Sequence, residues 1–184
     1  MGPNYYVEPQ RQSFIPQGKM LYLIIGAIAA LIVGGILIAV TNGSKKDLSL
    51  QYAQIESQAG QLNSLVNATE ITRNIRNETL NNIVVESSTN ITSDINAFHS
   101  AIQGVNMPQQ VTLNDEVKQR LEDASLKNQL DSAYREEFMK QIELVRAQLS
   151  GTYPQVKLKA VLTAMESMDG HLSEIYKRLE ELNL

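Results

Sequence analysis

The chain has 184 residues, a net charge of −4, no cysteine, no tryptophan and only 5% aromatic residues. The missing cysteines exclude disulfides and thiolate metal sites, and so few rings supply no stacking platform for single-stranded nucleic acid. A mildly acidic chain does not attract DNA by charge, so nucleic acid is not an expected partner.

Residues 1–18 include Pro3, Pro9, Gln10, Gln12, Pro16 and Gln17 and show no helical or strand period. They read as a disordered Pro/Gln tail. Residues 19–42 read as a transmembrane anchor. No charge occurs from Met20 to Ser44, and Met20–Val40 is almost wholly apolar. A helix of about 21 residues spans roughly 30 Å, the thickness of a bilayer's hydrocarbon core. Lys19 stands before the stretch, Lys45 and Lys46 stand after it, and Tyr22 falls where an interfacial ring is favoured. The stretch is longer than the apolar region of a cleaved signal peptide, and Ala39-Val40-Thr41 is a weak cleavage site, so an uncleaved signal anchor is expected. The layout is similar to that of type IV pilins, but the glutamate that pilins carry early in this stretch is absent.

Gly26, Ala30 and Gly34 recur every four residues, and Gly35 and Ala39 make a second such pair. Small residues at this spacing let two membrane helices approach closely, so self-association through this face is expected. The flanking charges do not set the orientation: Arg11 and Lys19 balance Lys45 and Lys46. A short tail before a first apolar segment is expected to stay in the cytoplasm. That places the domain that follows outside the cytoplasm, on a single-pass cell-membrane protein.

Residues 43–184 read as an all-α domain, an antiparallel bundle or coiled coil of three or four helices. Two breakers, Gly104–Pro108 and Gly151–Pro154, place a glycine at a helix end and a proline beyond it. They divide the domain into segments 45–104, 112–150 and 154–183. In the first, Leu48, Tyr52, Ile55, Ala59, Leu62 and Val66 form one stripe. Leu80, Val84, Ser87, Ile91, Ile95, Phe98, Ile102 and Val105 form another. No glycine or proline lies between Gly60 and Gly104, which favours one continuous helix, a stalk feeding a three-helix bundle. Asn67 and Thr69 as caps keep open a break there and a four-helix bundle. The second segment is expected to start at Thr112 as cap, with Asp115 three residues on. Its apolar face, Val117, Leu121 and Ala124, shifts near Leu126. In the third, Leu158, Val161, Met165, Met168, Leu172, Ile175, Leu179 and Leu182 alternate three and four apart as a heptad seam.

No sequence motif for catalysis, nucleotide binding or a cofactor is present. Neither His99 nor His171 has a glutamate three residues before it, as a di-iron bundle requires. Asp169, His171 and Glu174 read as a solvated helix face rather than a metal site. The sequons at Asn42, Asn67, Asn77 and Asn90 read as chance in a stretch rich in Asn, Ser and Thr. No catalytic residue, cofactor or metal is therefore expected. The reading is a membrane-anchored, non-enzymatic helical scaffold or protein-interaction domain, with the lipid bilayer and a protein partner or second copy as its contacts. The alternative is a membrane-tethered sensor whose helices hold a small ligand, signalled by a cavity lined by Arg73, Arg76 or Tyr134.

Overall fold

Tyr52, Ile55, Ala59, Leu62 and Val66 recur three and four residues apart, and the helix they define, α1 (Leu48–Val66), buries all five. The computed structural model describes residues 48–102 and 111–184. The tail, the apolar stretch with Gly26, Ala30, Gly34, Gly35 and Ala39, and the Gly104–Pro108 breaker lie outside those residues. Among the described residues the fold is all-helical, with five helices of more than one turn and no strand. None of them is long and apolar enough to cross a membrane.

α1 does not continue as a stalk. It ends at Val66, a single helical turn follows at Thr69–Thr72, and α2 begins at Glu78 and runs to Ala101. Residues 67–77 lack an apolar stripe. Only Ala68 and Ile71 are buried, with Ile75 packed partly against the core, too little burial to hold a helix there. The cap of α2 is Asn77, whose side chain accepts the N–H of Leu80 at 2.9 Å. Asn67 and Thr69 do not cap. Asn67 instead bonds back to Asn63 and accepts from Ser88 of α2 at 2.7 Å.

The next helix, α3 (Asp115–Leu126), is capped by Asn114 rather than Thr112. Asn114 Oδ1 accepts from Glu116 and Val117, while the Thr112 carbonyl accepts from Gln61. α3 closes in a Schellman motif. Gln129 N–H bonds the Ala124 carbonyl, Asn128 N–H bonds that of Ser125, and Asn128 takes φ 57°, a conformation asparagine tolerates better than most residues. The shift of face near Leu126 is thus a chain reversal. α4 (Leu130–Thr152) follows, then a 3₁₀ turn at Tyr153–Gln155 and α5 (Lys159–Glu180). Gly151 does not terminate α4 but lies within its last turn.

The four long helices form a square in which α1 neighbours α2 and α4, and α5 completes it against both. Every neighbouring pair is antiparallel. Gln51 bonds Gln155, and the Tyr134 hydroxyl bonds the Leu65 carbonyl, at opposite ends of α1 and α4. Arg178 pairs with Glu86, and His171 with Asp94, down α5 and up α2. Four-helix bundles of this connectivity need one long crossover between the parallel second and third long helices. The chain between α2 and α4, with residues 111–114 and α3 in it, supplies this connection, and α3 lies against α4. The centre holds Phe98, Tyr134, Phe138, Leu62, Leu80, Ile142, Met165 and Leu172, all essentially without solvent contact. Tyr52–Phe98 and Tyr134–Phe138 meet edge to face, with centroids at 5.9 and 6.1 Å.

Two glycines test this packing in opposite directions. Gly170 stands in the middle of α5 with nothing within 4 Å of an added Cβ, so Gly170→Ala is expected to stabilise the fold by about 0.5–1 kcal/mol. At Gly60 an added Cβ would stand 2.7 Å from the Val111 side chain of the crossover, so Gly60→Ala is expected to destabilise by about 1–3 kcal/mol. Thermal melts of the two variants in detergent, followed by helical circular dichroism, should move to opposite sides of the parent.

Candidate functional site

The chain has two histidines, and each sits beside a buried carboxylate of another helix. His171 Nδ1 of α5 lies 2.8 Å from Asp94 Oδ2 of α2, and Ser167 donates to the other Asp94 oxygen at 3.3 Å. His99 Nδ1 of α2 lies 3.2 Å from Glu56 Oε1 of α1. The carboxylate side chains are 6% and 8% exposed, whereas the imidazoles are about half exposed. The carboxylates are therefore the internal partners and the imidazoles their lids. A third buried carboxylate, Glu137 of α4, is met by Arg120 of α3, by Gln141 and at 4.0 Å by Lys140.

A buried carboxylate left without its partner costs several kcal/mol, so each pair penalises a slip of one helix along its neighbour. Sequence spacing carried a signal for them: Asp94 falls between Ile91 and Phe98 on the apolar stripe, and Glu56 between Tyr52 and Ala59. A carboxylate at such a position needs a partner inside the fold. Asp169, His171 and Glu174 do not converge. Asp169 bonds Arg146 of α4 at 2.8 Å while His171 turns to Asp94. Among the described residues no three His, Asp or Glu stand together as a metal ion requires.

Along α5 the structure places Val161, Met165, Met168, Leu172, Ile175 and Leu179 in the core. Leu158 leaves that seam. It is the N-cap residue of α5, with extended backbone and 61% exposure, because the helix starts one residue later than the apolar repeat. Leu182 lies past the end of α5 and is half-buried.

An open groove of about 480 Å³ borders the core at Leu149 and Met165, with Arg146, Tyr153, Glu166 and Asp169 in its lining. The space between Ala59, Leu62, Ile91, Asp94, Val145, Met168 and Leu172 is about 10 Å³, at the lower limit for a single water. Tyr134 is fully buried, and burial raises its hydroxyl above the usual tyrosine range. Arg73 and Arg76 line an open cleft of about 300 Å³ at the outer end of the α1–α2 hairpin, together with Asn74, Ser125, Asn128 and Asp131. Asp131 is already committed there: it accepts the backbone N–H groups of Arg76 and Asn77 at 3.0 and 2.9 Å.

Compared with known protein families, with curated proteins and with solved structures, the chain finds no match.

Burial pushes the Glu56 carboxyl above its ordinary value of 4.5, against the opposing pull of His99. The folded chain therefore holds that proton more tightly than the unfolded chain does. Glu56 supports the fold below pH 4.5 and costs stability as pH rises through its folded value. Glu56→Gln removes that dependence. The melting temperature of the variant is expected to gain on the parent between pH 4.5 and neutrality, and parallel melts at the two pH values check it.

Proposed function

We propose that the chain is a membrane-anchored, non-enzymatic helical scaffold or protein-interaction domain. The observation that carries this reading is the closed interior. The space at the bundle centre between Leu62, Ile91, Val145 and Leu172 leaves room for about one water, and the three buried carboxylates are all engaged in contacts that join or brace helices. Polar groups tied up in this way hold helices in register and are not free for a substrate. The proposal includes anchorage by Met20–Val40, self-association through Gly26, Ala30, Gly34, Gly35 and Ala39, and placement of the bundle outside the cytoplasm. Its partners are the bilayer and a protein, either another chain or a second copy.

One observation favours the sensor alternative: the cleft at Arg73 and Arg76. Neither guanidinium has a carboxylate within ion-pair distance among the described residues, and two free guanidinium forks suit a carboxylate or phosphate ligand.

The decisive experiment has two parts. Carbonate washing of membranes and protease treatment of intact cells should leave the chain with the membrane and degrade the bundle. Extraction by carbonate defeats the anchor, and a protected bundle defeats the placement. Thermal melts with millimolar inorganic phosphate or a dicarboxylate should leave the parent unshifted. A stabilisation that Arg73→Ala abolishes replaces the scaffold with the sensor.

A further inference from the structure

The start of α5 breaks the local rules of helix construction. Its N-cap is Leu158, which offers no side-chain bond to the first turn, where Ser, Thr, Asp or Asn is favoured. No acidic residue stands in that turn. Lys159 occupies its first position, and Lys157 lies just outside, although cations oppose the dipole at a helix N-terminus. Leu158 also forfeits burial, at 61% exposure, and Tyr153 is 40% exposed at the end of α4. Sequences that fold well break such rules where something outside the fold compensates.

The same end of the bundle carries the start of α1. The Gln51 side chain bonds Gln155 at 3.2 Å, and Leu50 beside it is 65% exposed. Three exposed apolar side chains therefore share one end: Leu50, Tyr153 and Leu158. The acids at this end are already engaged, Glu56 against His99 and Glu166 with the Tyr153 hydroxyl, whereas Lys157 and Lys159 make no ion pair among the described residues. The chain as a whole has a net charge of −4, yet this end presents two exposed lysines that no described carboxylate engages. Leucine and tyrosine between lysines match a headgroup layer, with acyl boundary for the apolar groups and anionic phosphates for the ammonium groups.

We infer that this end of the bundle docks on the headgroup layer of an anionic bilayer. The inference rests on the membrane-anchor reading and adds which surface of the bundle meets the lipid. Chain length keeps the encounter within reach: seven residues, 41–47, separate Val40 from Leu48. Even fully extended, they reach roughly 26–29 Å. With Met20–Val40 in the bilayer, the start of α1 cannot stray further than that from the hydrocarbon boundary. The effective concentration of lipid at Leu50 and Leu158 is therefore high whatever their intrinsic affinity.

The chain contains no cysteine, so a single introduced cysteine can carry an environment-sensitive fluorophore. Full-length Leu50→Cys, Leu158→Cys and Leu126→Cys are to be labelled and reconstituted in vesicles of phosphatidylcholine with a minority of phosphatidylglycerol. Leu126 is the control, 84% exposed and at the opposite end of the bundle. Labels at 50 and 158 are expected to be quenched by lipid-borne nitroxide and shielded several-fold from aqueous iodide relative to 126. Adding Lys157→Glu and Lys159→Glu to Leu158→Cys should open its label to iodide while the helical circular dichroism stays unchanged. Labels at 50 and 158 as open as 126, in a chain that floats with the vesicles, overturn the docking and leave the anchor standing. A chain that fails to float overturns both. Protection that survives the charge reversal overturns the assignment to an anionic surface.

Discussion

The backbone N–H groups of Arg76 and Asn77 end on the carboxylate of Asp131, and the hairpin held there makes a bundle out of what reads as a stalk. Two amphipathic helices joined end to end would each need a separate partner for its apolar face. Folded back at residues 67–77, α1 and α2 become neighbours, and α4 and α5 close the other two sides. Asp131 lies in the first turn of α4, where a carboxylate also suits the helix dipole. It therefore joins the tip of the first hairpin to the start of the second. The crossover is bound to α1 separately, through Gln61 with Thr112 and Asn114, and through Ser64 with Val111.

The apolar faces were legible because helical burial repeats with a fixed period. The stripes on α1, α2 and α5 enter the core nearly residue for residue. Their edges were less legible. Leu65 and Ile83 are fully buried beside the stripes, because a helix in a square of four needs a wider apolar face than a two-stranded seam. The reversal at Gly151–Pro154 falls where its glycine and proline placed it, between α4 and α5, but other helix boundaries were harder to read for a different reason. Asparagine closes them here, at Asn77, Asn114 and Asn128, where glycine and proline were the signal followed. An asparagine side chain can mimic a backbone acceptor or tolerate positive φ, so a glycine-poor segment can still turn. The break at 67–77 was visible as a lapse in the apolar stripe, and that lapse outweighed the lack of glycine and proline.

The polar interior was half legible. Asp94 and Glu56 occupy stripe positions in the sequence, but spacing alone could not name their partners, since His171 lies 77 residues from Asp94 and His99 lies 43 from Glu56. Histidines and carboxylates in a helical bundle invite a metal reading. The geometry spends them pairwise on different helix interfaces: α2 with α5, and α1 with α2. Two separate pairs cannot supply the three or four converging donors that hold an ion. They do oppose sliding of α2, because a shift of one turn would strand both carboxylates. A bundle built this way is suited to presenting a rigid surface rather than to opening around a guest.

The two ends of that surface differ in kind. At one, the α1–α2 turn and the α3–α4 corner frame a polar cleft with Arg73 and Arg76 and with Asp131 in its lining. At the other, the exposed leucines stand beside Lys157 and Lys159, and the exposed Tyr153 bonds Glu166. Antiparallel helices bring two N-termini and two C-termini to each end, so dipoles cancel and cannot cause the asymmetry. It lies in the side chains, and most plainly in a leucine placed where a helix cap belongs. For a bundle free in water, Leu158 and its flanking lysines are costly choices with no internal return. For a bundle docked on lipid as inferred above, the same choices would become contacts, and the arginine cleft would face away from the bilayer.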